Sequence, residues 1–222
     1  MTKEEMLTHV DHTVLKAFST WEDVVKICDE AMEFNCASVC IPPCYIARVH
    51  SAYPTLNICT VVGFPLGYAA TEAKIAETQK ALAEGCNEID MVINIADVKN
   101  GDYYLVEEEI RQLKKVCGGH ILKVIIETCY LTEAEKIEMC KAVTNAGADF
   151  IKTSTGFGTG GATFEDIELF KKHIGPNVLI KAAGGVSTLD DLSKFLELGC
   201  ERIGTSRAVG LVKSSGDVPA GY

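Results

Sequence analysis

One punctuation mark recurs along the chain. Four times a helical stretch runs into glycine or asparagine and an apolar strand begins one or two residues later: Asn35-Cys36-Ala37, Gly85-Cys86-Asn87, Gly147-Ala148-Asp149 and Gly199-Cys200-Glu201. Glycine and asparagine tolerate the left-handed backbone that closes a helix, so each site reads as a helix-to-strand junction. Helix starts recur as Thr20-x-x-Asp23, Thr132-x-x-Glu135 and Thr163-x-x-Asp166. There the hydroxyl can accept from free backbone N–H groups, and the acid suits the positive helix end. Strand-like segments fall near residues 9 to 13, 37 to 41, 57 to 63, 88 to 94, 120 to 127, 149 to 153, 178 to 183 and 202 to 206. The gaps hold one helix each, which makes the sheet parallel. Eight such units in 222 residues predict an α/β chain of one domain, a (β/α)8 TIM barrel over 1–222 with a flexible tail at 214–222. An open doubly wound sheet is the alternative, and it would normally need fewer strands or a longer chain.

Composition narrows the function. The chain is 47% hydrophobic and 23% charged, its opening MTKEEML is charged rather than basic and then apolar, and its longest charge-free stretch is broken by Pro65 and glycines. These features predict a soluble cytoplasmic protein without a membrane span. A net charge of −10 disfavours nucleic acid and anionic membrane partners, so an anionic ligand needs a local site. A small phosphorylated metabolite fits. The ten cysteines include no CxxC pair, and most fall within apolar patterns, as free thiols do in a reduced core. Cys36, Cys40 and Cys44 are evenly spaced, but Pro42 and Pro43 break the helical face a metal would need. No metal or cofactor is expected.

Strand alternation then places the charges. Asp90, Val92 and Asn94 share one face of the fourth strand, and Lys123, Ile125 and Glu127 one face of the fifth. Lys152 in the sixth and Lys181 in the seventh likewise oppose apolar neighbours. In a barrel the wholly apolar faces meet the helices, so Asp90, Lys123, Glu127, Lys152 and Lys181 point inward. For any one lysine, a buried ion pair is the plainer reading. Several amines together near the C-terminal strand ends favour chemistry instead. Two close lysines suit imine formation, since a neighbouring ammonium and partial burial both disfavour a second positive charge.

A second signal is independent of the lysines. Gly184-Gly185 follows the seventh strand, Gly204-Thr205-Ser206 the eighth, and Thr155-Gly156 the sixth. Barrels commonly hold phosphate there through backbone N–H groups.

Several motifs taken in order closely resemble the deoxyribose-phosphate aldolase family. They are DHT at 11–13, VCIPP at 39–43, VVGFPLG at 61–67, EIDMVINI at 88–95, KVIIET at 123–128, DFIKTSTGF at 149–157, IKAAGGV at 180–186 and RIGTS at 202–206. The resemblance covers nearly the whole chain. It implies reversible cleavage of 2-deoxy-D-ribose 5-phosphate to D-glyceraldehyde 3-phosphate and acetaldehyde, without a cofactor, by a homo-oligomer (dimer or tetramer). By the same resemblance Lys152 is the Schiff-base lysine, Lys181 the second lysine and Asp90 the proton-relay acid. Asp11, Thr13, Cys40 and Lys123 match interior site positions; Thr155, Gly156, Gly184, Gly185, Gly204 and Ser206 match the substrate and phosphate loops. Tyr222 matches a terminal tyrosine that could relay a proton. One departure stands out: some members carry a lysine directly after STG, where this chain has Phe157. A ketone-donor Schiff-base aldolase and a non-catalytic phosphosugar-binding barrel share these features and stay open at this point.

Overall fold

A computed structural model describes residues 1–214. Eight parallel strands close into a barrel in sequence order: β1 (Val10–Thr13), β2 (Ser38–Ile41), β3 (Ile58–Val62), β4 (Glu88–Val92), β5 (Ile121–Ile125), β6 (Phe150–Lys152), β7 (Leu179–Ala183) and β8 (Arg202–Thr205). β8 pairs back onto β1, so no open edge remains, and the open-sheet alternative is excluded. A short helix α1 (Lys3–Leu7) precedes the barrel. Around it run α2 (Trp21–Glu33), α3 (Ile46–Ala52), α4 (Thr71–Ala83), α5 (Ile95–Asn100), α6 (Tyr103–Cys117), α7 (Glu133–Asn145), α8 (Phe164–His173), α9 (Leu189–Glu197) and α10 (Ala208–Ser214). Tyr222 and the expected tail beyond Ser214 lie outside the described residues.

The punctuation behaves as its chemistry requires. Asn35, Gly85, Gly147 and Gly199 all take left-handed backbone, with φ of 51°, 101°, 75° and 102°. Thr20 and Thr132 form reciprocal capping boxes with Asp23 and Glu135, and the Thr163 hydroxyl accepts from the Asp166 N–H. Each such cap contributes about 1 kcal/mol. Two further boxes, Thr2 with Glu5 and Thr188 with Asp191, carry the same pattern.

The apolar core lies outside the sheet, between its outer face and the helices. Ile89 and Met91 from β4, Leu122 and Val124 from β5 and Ile151 from β6 meet Val106, Ile110 and Leu113 of α6 and Val143 of α7, all fully buried. Truncating one such side chain to alanine costs about 2–5 kcal/mol. Because this layer supplies the cohesion, the barrel interior can carry charge.

β4 and β5 end sooner than the sequence reading has them. Asn94 is the N-cap of α5, its side chain accepting from the Ala96 N–H, and Glu127 lies past β5 in left-handed backbone with φ 51°. Neither continues an inward strand face, because the chain has already turned.

Candidate active site

The inward side chains stack in layers drawn from alternate strands, as in a closed barrel of this shear. Ser38, Glu88, Phe150 and Arg202 from β2, β4, β6 and β8 form one layer toward the base. Asp11, Cys59, Lys123 and Lys181 from the odd strands form the next. Cys40, Asp90, Lys152 and Gly204, again from even strands, form the layer above that, and Thr13, Val61, Ile125 and Ala183 lie beyond it toward the mouth. The strand pairing brings Asp90 beside Lys123 and Lys152 beside Lys181. Gly204 leaves the space its layer needs, since a Cβ there would stand 3.2 Å from Lys181 Cε.

Asp90 is the hub. Its Oδ2 accepts from Lys152 Nζ and Lys181 Nζ, each at 2.7 Å, and its Oδ1 accepts from Lys123 Nζ at 3.0 Å and from the Cys59 thiol at 3.2 Å. Lys181 also reaches Asp11 Oδ2 at 2.5 Å, and Lys123 reaches Glu88 at 2.5 Å. Arg202 closes the base of the network onto Asp11 at 2.6 Å and Glu88 at 3.0 Å. Four basic groups thus face three carboxylates.

Burial alone would neutralise these groups, but their partners prevail. Desolvation favours a neutral Asp90, yet Lys123, Lys152 and Lys181 hold its carboxyl well below the ordinary range. Asp11 is likewise held low, against its burial, by Lys181, Lys123 and Arg202. Burial opposes the charge on Lys181, but Asp11 and then Asp90 keep its ammonium above the usual lysine range. Lys123 is held high against its burial chiefly by Asp90. Lys123 and Lys181 are therefore fixed cations.

A cavity of about 660 Å³ opens above this network at the C-terminal end of the strands. Lys152 and Thr13 lie on its wall, as do Thr155, Gly156, Gly184, Gly185, Gly204 and Ser206. Asp11, Cys40, Asp90, Lys123 and Lys181 lie beneath it, fully or almost fully buried. Lys152 is thus the one member of the lysine trio that reaches the cavity surface. Gly204 belongs to β8 itself and lines the cavity from within the strand.

The far wall is built from tightly packed turns. Gly184 and Gly185 both take positive φ, 72° and 76°, and Gly161 packs so closely on them that a Cβ would stand 2.5 Å from the Gly184 carbonyl carbon. Glu127 acts here rather than in the lysine cluster. Its strained left-handed residue, of order 1–2 kcal/mol, is offset by its carboxylate, which accepts from the Thr155 N–H at 3.1 Å and from the Thr155 hydroxyl. The turn after β5 thereby holds the loop after β6.

Glu88, Arg202, Cys59 and Gly161 were not singled out from sequence. Glu88 stands two residues before Asp90, so alternation alone places it on the same face. Arg202 and Cys59 gain meaning only from strand register, and Gly161 only from the contact between two loops. Two triplets of possible metal donors do converge, Cys40 with Cys59 and Asp90, and Asp11 with Cys59 and Glu88. The Lys123 ammonium contacts members of both, at 3.3 Å from Cys59, so neither suits a divalent cation. Among the described residues no helix is long and apolar enough to cross a membrane.

Comparison with known proteins agrees with this fold. Residues 5–213 match the family described as DeoC/LacD family aldolase. A deoxyribose-phosphate aldolase of Clostridium botulinum is 70% identical over 223 residues, covering all of both chains. One of Clostridioides difficile is 55% identical, covering 95% of this chain and 97% of the relative. A solved structure of an Aeropyrum pernix deoxyribose phosphate aldolase, described as a unique tetrameric structure, superposes with a TM-score of 0.90 at 28% identity, over 97% of this chain and 93% of that one.

Proposed function

This chain belongs to the DeoC/LacD family of aldolases, and on that premise we propose that Lys152 carries its reaction as a Schiff base, with Asp90 and Lys181 managing the protons. The activity is that of a deoxyribose-phosphate aldolase, a lyase acting reversibly on 2-deoxy-D-ribose 5-phosphate. That assignment removes the purely binding alternative. Glyceraldehyde 3-phosphate and acetaldehyde are the products of breaking the C2–C3 bond.

The observation that carries the Lys152 assignment is its position: it shares the Asp90 carboxylate with two fixed cations, yet it alone of the three reaches the cavity. Of the four basic groups in the interior set, only Lys152 lines the cavity, where its amine can meet a carbonyl carbon. The free amine adds to C1, water leaves, and the iminium formed draws in the electron pair of the C2–C3 bond as it breaks. The C3 hydroxyl proton passes through water to the Asp90 carboxylate, and the enamine carbon takes a proton back by the same route. Lys181 holds Asp90 in place and supplies the second positive charge beside the reacting nitrogen. Hydrolysis releases acetaldehyde and restores the amine.

Assembly as a homo-oligomer belongs to the same reading, supported by the tetrameric description of the Aeropyrum pernix relative. A cytoplasmic setting is supported by ten unpaired cysteines, five of them fully or almost fully buried within strands and helices. The deciding experiment is borohydride reduction in the presence of acetaldehyde, followed by peptide mass spectrometry. A reduced two-carbon adduct on Lys152 is expected; an adduct on another lysine, or none, overturns the assignment.

A further inference from the structure

The position after STG offers no charge to a phosphate here. Phe157 fills it, packed edge-on against Phe64 at 5.3 Å on the cavity wall. A dianion held by backbone N–H groups alone would lack a countercharge in a protein of net charge −10. The geometry points to Arg207 as the group that supplies it: the guanidinium recognises the substrate phosphate between the loops after β7 and β8. This rests on the sugar-phosphate reading above and adds to it the residue that sets the preference for a phosphorylated substrate.

Three observations converge on it. Arg207 lines the same cavity as Lys152, on the side of Gly184, Gly185 and Ser206. Its backbone N–H donates to Thr205 Oγ1 at 3.1 Å, fixing the turn out of β8, and its guanidinium lies 3.5 Å from Ser187 Oγ across the gap between the loops. Finally, among the described residues it is the arginine with neither a carboxylate nor a ring partner. Of the chain's four arginines, Arg48 stacks 3.7 Å over the Trp21 ring, Arg111 pairs with Glu107 and Glu108, and Arg202 closes the interior network. Arg207 makes no ion pair among the described residues, so its planar fork is free for a phosphate. Lys16 lines the cavity too, but its ammonium sits 5.7 Å over the Phe18 ring, on the β1 side.

The test compares full-length wild type with Arg207→Gln, Arg207→Lys and Lys16→Gln. Each is assayed on 2-deoxyribose 5-phosphate and on unphosphorylated 2-deoxyribose, and binding of inorganic phosphate is measured by calorimetry. Arg207→Gln should lower the ratio of kcat/KM for the phosphorylated over the unphosphorylated sugar by about 10- to 100-fold, mostly through KM. It should weaken inorganic phosphate in parallel, and Arg207→Lys should recover part of the loss. An unchanged ratio, an equal fall on both sugars, or a loss confined to Lys16→Gln overturns the assignment. Wild type that binds phosphate through Arg207 yet cleaves neither sugar would sink the aldolase reading and leave this site standing.

Discussion

Lys152 and Lys181 lie opposite each other in the β6–β7 pairing, and both donate to one oxygen, Oδ2 of Asp90, at 2.7 Å. Their equivalence ends there. Lys181 is pinned a second time by Asp11 and sealed beneath the cavity, whereas Lys152 pairs only with Asp90 among the described residues and faces the opening. One lysine is held as a charge and the other is available to react.

Lys152→Arg should therefore abolish cleavage, because a guanidinium stays protonated and forms no imine. Enlarging a side chain that is 3% exposed costs about 1–3 kcal/mol, so the variant should still fold. Circular dichroism and borohydride trapping check the two halves of the expectation. Near-normal turnover would remove Lys152 from the chemistry.

Asp90→Asn leaves the three lysine side chains around a neutral amide. Breaking a buried network this way should cost about 3–5 kcal/mol of stability, read as a lower denaturant midpoint. Exchange of the acetaldehyde methyl protons with deuterated solvent should slow more than phosphate binding weakens. Intact exchange with impaired binding would make Asp90 a purely structural residue.

The same network sets a pH response. Asp90 and Asp11 have folded values below the ordinary 3.8, so their stabilisation is fully present above about pH 4 and fades as pH falls toward those depressed values. Lys123 and Lys181 are raised above 10.5, so their contribution is complete below that and is lost only as pH climbs through the raised values. Urea midpoints measured from pH 2 to pH 5 should fall toward acid in wild type and fall less steeply in Asp90→Asn. Parallel slopes would contradict the assignment.

Gly161→Ala probes the loop wall. Its new Cβ would meet backbone of Gly184 and Gly185 at 2.5–2.7 Å, where nothing flexible can yield. Displacing that turn should cost about 1–3 kcal/mol, seen as roughly a 10- to 100-fold rise in KM for the sugar phosphate. An unchanged KM would place the phosphate elsewhere.

Local chemistry was legible in the sequence. Helix ends need particular side chains wherever they occur, so Asn35, Gly85, Gly147 and Gly199 announced their left-handed turns, and Thr20 and Thr132 their caps. The two-residue strand period put Asp90, Lys123, Lys152 and Lys181 on inward faces before any contact was known. Strand ends were less secure: Glu127 and Asn94 continue the apolar alternation, but the chain turns before them, and that turn depends on what packs there. What only the tertiary structure decided is which charges meet. Stagger around the closed barrel brings Arg202 onto Asp11 and Glu88, and it sets Lys152 on the cavity with Lys181 below it. Sequence fixes the direction of a side chain relative to its own strand, whereas its height and its neighbours across the barrel depend on how all eight strands close together.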